Sequence, residues 1–225
     1  MQDGEKMQWT KWFDERAKSF NNDHEKVGYS SKKSMSYRYN ICLSNIEIKE
    51  NMSMVDVGCG VGNFEEFLSE NYGNINMFGI DPSPNMVKVA RQKNLPAEFF
   101  LGDIIRLPFK SNSMDCIISI AVLQNFDGSW EDALSEMVRI LDQGGQLFFT
   151  TIDRNYKGHY EYEYLTDSEA RLNTRSYVPK EISKFLESLG IKIIKMSAFS
   201  TADGTELPLH EWDKFFVYGI KEKIN

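Results

Sequence analysis

From Met52 onward, short apolar runs of strand length alternate with segments of helical period, and this constrains the fold more than any other feature of the chain. Strands separated by helix-sized crossovers run parallel, and a parallel sheet needs helices over both faces. Residues 54–57, 76–80, 98–101, 116–120 and 146–152 read as five strands. Helices are expected at 63–71, after Ser83-Pro84, and from Ser129, where Asp132 occupies the capping-box position and Leu134, Met137, Val138 and Leu141 share a face. Gly144-Gly145 is read as the stop of that last helix. Pro179 opens another helix, with Ile182, Phe185, Leu186 and Leu189 on one side and Gly190 as its end. Strands at 191–196 and 214–220 bring the count to seven, and with no helix between them an antiparallel edge strand is expected. The fold class is therefore α/β, with a mostly parallel sheet.

Two regions stand outside that alternation. Residues 1–50 read as two helices, near 8–20 and 34–46, with Trp9, Trp12, Phe13 and Phe20 mostly on one face; they are expected to form a lid over the domain at 51–225. Residues 153–178 have no clear period, and so long an irregular stretch inside a domain is more often functional than idle, which suits a cap over the site.

Composition narrows the class of function. The net charge is −7, whereas gripping phosphate backbones calls for a basic surface, so nucleic acid is disfavoured as a partner. No apolar run approaches the roughly 18 residues of a membrane helix, and residues 1–6 lack a signal-peptide core, so a cytoplasmic protein is expected. Cys42, Cys59 and Cys116 form no CxxC pair, which favours packed, reduced thiols over metal ligands.

The chemistry concentrates where strands meet helices. Asp56, Gly58 and Gly60 lie between the first strand and its helix, where glycines let a ligand approach the peptide groups. Asn63 stands where a dinucleotide fingerprint needs its third glycine, so a hydride-transfer enzyme is disfavoured. Asp81 ends the second strand, a position from which a carboxylate can accept both hydroxyls of a ribose. Asp103 follows the third, where an acid can accept from an adenine amino group.

These stretches together resemble the class I S-adenosylmethionine-dependent methyltransferases. VDVGCGVGNF (55–64) is similar to their first motif, GIDPSPNMV (79–87) to the second and FFLGDI (99–104) to the third; MDCIISIAVLQNF (114–126) and RILDQGGQLFFTTI (139–152) resemble the fourth and fifth. The resemblance implies a doubly wound, Rossmann-like sheet of seven strands, with S-adenosylmethionine as cofactor lying across the ends of strands one to four. It places Gly58 and Gly60 against the methionine portion with Asp56 beneath, and Asp81 on the ribose. Pro82 and Met86 would flank the adenine, Asp103 would meet its amino group, and Ile104 would offer its backbone amide. Ala121 would touch the methionine moiety through its main chain, and Arg38 would reach the cofactor's carboxylate.

The expected partner is a small-molecule acceptor, methylated on oxygen or nitrogen. An Asn/Asp-Pro-Pro-Tyr sequence after the fourth strand would point to nucleic-acid amines, and Gln124-Asn125-Phe126 stands there instead. His159, in the run His159 to Tyr164, is the candidate general base because imidazole titrates near neutral pH. Two alternatives stay open: methylation of a modified tRNA base, and a protein that binds the cofactor without transferring methyl.

Overall fold

The computed structural model describes residues 7–156, 163–165 and 171–223. An eight-stranded sheet organises it. Its parallel strands β1 (Ser53–Val57), β2 (Asn76–Asp81), β3 (Ala97–Leu101), β4 (Met114–Ile120) and β5 (Leu141–Ile152) alternate with helices α4 (Asn63–Asn71), α5 (Pro84–Gln92) and α6 (Trp130–Ile140). Two three-residue strands, β6 (Glu163–Leu165) and β7 (Arg171–Asn173), pair only with each other. Helix α7 (Pro179–Ser188) leads into β8 (Ile191–Phe199), followed by β9 (Glu206–Leu207) and β10 (Lys214–Lys221).

Across the sheet the order is β3-β2-β1-β4-β5-β10-β8-β9. β10 slots between β5 and β8, antiparallel to both, and the short β9 makes the antiparallel edge. The seven expected strands thus appear, joined by β9 in the main sheet and by the separate pair β6 and β7. Helix α6 stops at Ile140 because Leu141 already pairs with Met114; the residues before Gln146 ride in a bulge that re-registers β5 on Cys116.

Side-chain alternation divides the apolar residues between two faces. Val55, Val57, Ile117, Leu147, Phe149 and Val217 face Leu134, Met137, Ile182 and Leu186 of α6 and α7. Met54, Cys116, Ile118, Phe148 and Phe216 face Phe64 and Leu68 of α4, together with Met35, Tyr39 and Cys42. Those last three belong to α3 (Lys32–Asn45), so this helix is part of the second core layer. Burying one such side chain stabilises by roughly 1.5–3 kcal/mol. Of residues 7–50, α1 (Met7–Ser19), residues 27–29 after the single turn α2 (Asp23–Lys26), and Arg38 and Tyr39 of α3 reach the carboxyl ends of the strands. The three cysteines are buried and unbridged.

Candidate functional site

A cavity of about 240 Å³ opens above the carboxyl ends of the parallel strands. Its wall includes Arg38, Asp56, Gly58, Gly60, Asp81, Pro82, Met86, Asp103, Ile104 and Ala121, all ten of the cofactor-binding candidates. His159 lies outside the described residues.

The β1–α4 loop makes the floor. Gly58 has φ +86°, and a Cβ there would sit 2.2 Å from Cγ2 of Val122, so only glycine fits between strand end and neighbouring loop. The amides of Gly58 and Cys59 donate to the Ile80 carbonyl at 2.7 and 3.0 Å, which binds the loop to the end of β2. Asp81 completes the tie: its Oδ2 accepts from the Gly60 amide at 3.0 Å and its Oδ1 from the Ser83 amide at 2.9 Å. Burial pushes the Asp81 carboxyl up to about 6, with those two amide bonds pulling the other way.

Two further acids sit below this floor. Asp56, 4% exposed, is pushed up to about 8 by burial and then by the nearby charge of Asp81, and its Oδ1 has no hydrogen bond. Glu65, 2% exposed, has no partner on either oxygen, and burial followed by repulsion from Asp56 raises it well above the usual carboxylate range. Burial thus favours the neutral form of both carboxyls. Glu65 escaped sequence reasoning because an acid in the first turn of a helix looks like an ordinary partner of the helix dipole.

Asp103 accepts from the Ile105 amide at 3.2 Å through Oδ1, which shapes the turn after β3. Ala121, just past β4, holds φ +61°, a left-handed conformation costing roughly 1–2 kcal/mol for a residue with a Cβ. It is secured on both sides: its amide donates to Thr150 Oγ1 at 2.9 Å, and its carbonyl accepts from Asn125 Nδ2 at 3.4 Å. The strain turns the chain into the 3₁₀ turn Leu123–Asn125 and brings Gln124, Asn125 and Phe126 to the cavity wall.

Helix α1 forms the roof. Trp9, Trp12 and Phe13 all line the cavity and pack on one another with ring centroids 4.8–5.9 Å apart, Trp9 stacked on Phe13 and Trp12 edge-on to both. Asp14 anchors this helix to the start of α5, accepting from Ser83 Oγ at 2.8 Å, the Asn85 amide at 2.9 Å and Asn85 Nδ2 at 2.6 Å. Burial would raise this carboxyl, but the Asn85 amide, Ser83, the Asn85 side chain and Lys18 together hold it down at about 2. Lys93 of α5 adds a second anchor, reaching Asp23 of α2 at 2.8 Å and Glu66 of α4 at 2.7 Å.

Arg38 stands at the wall, 8% exposed, with its guanidinium carbon 4.6 Å from the Tyr29 ring centroid. Its Nη1 donates to Ser34 O at 2.7 Å and Ser34 Oγ at 3.0 Å. No carboxylate among the described residues pairs with it. Lys214, at the start of β10, also reaches the cavity and pairs with Asp213 at 2.8 Å. Nothing in the sequence marks Lys214, because the first residue of a late strand reaches this site only through the antiparallel entry of β10.

These features fit S-adenosylmethionine. A glycine floor that a Cβ would block, a carboxylate at the end of β2 and a buried guanidinium without a carboxylate partner match an adenosyl group joined to an amino acid. Among the described residues no helix is long and apolar enough to cross a membrane.

Comparison with known proteins agrees with that geometry. Residues 55–149 match the family described as a methyltransferase domain. The ubiquinone/menaquinone biosynthesis C-methyltransferase of Campylobacter jejuni is 31% identical over 123 residues, 52% of this chain and 52% of its own length. The tRNA (carboxymethyluridine(34)-5-O)-methyltransferase of Xenopus tropicalis is 32% identical over 120 residues, 52% of this chain and 18% of its own. The chain thus spans about half the length of the first relative and less of the second. In fold it is similar to a chain from the complex of the Haloferax volcanii Trm112 methyltransferase activator with a methyltransferase: the TM-score is 0.73, identity is 19%, and 98% of each chain is covered.

Proposed function

We propose that this chain, whose residues 55–149 match the methyltransferase domain family, is a class I S-adenosylmethionine-dependent methyltransferase that transfers the cofactor's methyl group to an oxygen or nitrogen of a small molecule. The observation that carries this reading is the convergence of all ten cofactor-binding candidates on one cavity, roofed by Trp9, Trp12 and Phe13. The cofactor supplies an electrophilic methyl on a sulfonium. The protein's own task is alignment. Asp81 holds the ribose hydroxyls while gripping the Gly60 amide, so sugar position and loop geometry are set by one side chain. The strained Ala121 turn fixes main-chain groups beside the methionine portion, and the aromatic roof excludes water from the line of attack.

A roofed cavity of about 240 Å³ and a net charge of −7 favour a compact acceptor over a polynucleotide. The likeness to the Xenopus tRNA enzyme carries the competing reading. Incubation with methyl-labelled S-adenosylmethionine and size-fractionated cell extract separates them. Label in the small-molecule fraction is the expected result, and label in RNA overturns the acceptor class. Cofactor binding with no transfer to any fraction makes the protein a binder, and absence of binding removes the cofactor assignment.

A further inference from the structure

One side chain of the roof reaches into the segment assigned to the cofactor's nucleoside. Asp14 of α1 accepts from Ser83 Oγ and the Asn85 amide through Oδ1, and from Asn85 Nδ2 through Oδ2. These partners lie within residues 81–86, which hold the ribose candidate Asp81 and the adenine-flanking candidates Pro82 and Met86. Ser83 is fully buried and serves two carboxylates: its hydroxyl donates to Asp14 while its amide donates to Asp81 Oδ1. Asp81 Oδ2 in turn grips the Gly60 amide. A continuous chain of hydrogen bonds therefore runs from α1 through Ser83 and Asp81 to the glycine loop.

The packing follows the same route. Met86, 1% exposed, clusters with Ala17 and Phe13 of α1. Val27, just past α2, rests on the glycine loop, since a Cβ at Gly60 would come within 2.7 Å of its Cγ1. The tie is charged at neutral pH: burial acts to raise the Asp14 carboxyl, but the Asn85 amide, Ser83, the Asn85 side chain and Lys18 hold it at about 2. A carboxylate at the first turn of α5 is favoured both by those donors and by the positive end of the helix.

We propose that Asp14 is a positioning residue for the cofactor: through Ser83 it holds Asp81 in the geometry that receives the ribose, so that seating of α1 and binding of S-adenosylmethionine strengthen each other. This rests on the cofactor assignment above. The coupling is reciprocal, as linkage between two binding events must be. A weaker tie raises the population of the unseated roof, so bound product escapes faster.

The test is S-adenosylhomocysteine binding to the full chain, followed by tryptophan fluorescence, because Trp9 and Trp12 lie in the roof. Asp14→Ala should weaken affinity about tenfold or more, chiefly through faster dissociation. Asp14→Asn keeps an oxygen for Ser83 and the Asn85 amide and should recover part of the loss. Gly190→Ala is the control: it strains a left-handed position beyond α7, lowers the melting temperature, and should leave the dissociation rate within about twofold. A double-mutant cycle isolates the route. In an Asp81→Asn background, where one of the two amide ties is already broken, Asp14→Ala should cost less than about threefold. Should Asp14→Ala fail to fold, Asp14→Asn runs the same cycle. Equal losses in both backgrounds, or an Asp14 variant that binds as the parent does, overturn the coupling alone. A parent that binds no S-adenosylhomocysteine overturns the cofactor assignment and this inference with it.

Discussion

The two ends of the cavity are built by different means. At the cofactor end, Gly58, Gly60, Asp81 and Asp103 come from three consecutive strand–loop units, and each is held by main-chain bonds a few residues away or on the adjacent strand. At the end we assign to the acceptor, Trp12, Gln124 and Lys214 arrive from α1, the turn after β4 and β10, and meet only because the sheet is complete. The first end follows from local backbone rules; the second depends on the whole topology. Substitutions at the cofactor end should therefore damage binding directly, while those at the acceptor end should alter which molecule is methylated.

The largest expected effect is at Gly58. Gly58→Ala would place a methyl group into Val122 at a φ that alanine resists, and the combined strain should cost about 2–4 kcal/mol. S-adenosylhomocysteine affinity in calorimetry should fall at least about thirtyfold, the fold change that this range implies. Near-parental binding would mean that the loop is soft and that the contrast between the two ends is overstated.

Asp81 comes next. Asp81→Ala removes the acceptor of two main-chain bonds and, on the proposed reading, of the ribose, and each charge-assisted bond is worth about 1.5–3 kcal/mol. The parent protein carries a pH signature of the same contact. The folded carboxyl titrates at about 6, so affinity should weaken as pH falls through that value and the acceptor is lost. A flat affinity from pH 5 to 8 would place the ribose elsewhere.

What the sequence made legible divides along the same line. The parallel strands, the Ser83 and Ser129 caps and the glycine loop are readable because short-range rules govern them, and Ser83 and Ser129 do accept from the Met86 and Asp132 amides. Helix α6 ends at Ile140, short of the expected stop at Gly144-Gly145, because pairing of Leu141 with Met114 overrides helical propensity. Asp14 and Lys93 give no sequence signal, since each acts on a helix far along the chain. Lys214 is hidden for the same reason, and Glu65 is hidden because burial rather than position makes it unusual.

Glu65 offers a smaller test on stability. A carboxyl with a raised folded pKa contributes fully below its ordinary value of 4.5, and that contribution is lost as pH rises toward the folded value. Glu65→Gln removes the titration, so its melting temperature should gain on the parent's between pH 4.5 and pH 8. The gain is about 2–4 °C for each kcal/mol recovered at this chain size. Parallel pH profiles for the two proteins would show that the charge is accommodated without loss, and that the floor under the glycine loop is less dry than its unpaired oxygens indicate.

The smallest effect is expected at His159. A general base contributes about 10²–10⁴ in rate when the acceptor must lose a proton during attack. The sulfonium methyl is strongly electrophilic, so where alignment alone carries the transfer, His159→Ala should change turnover by less than about twofold. A fall by two orders of magnitude would instead make the acceptor a hydroxyl or a protonated amine, with His159 removing the proton. The two outcomes exclude each other at one residue, and turnover of His159→Ala on the labelled acceptor fraction decides between them.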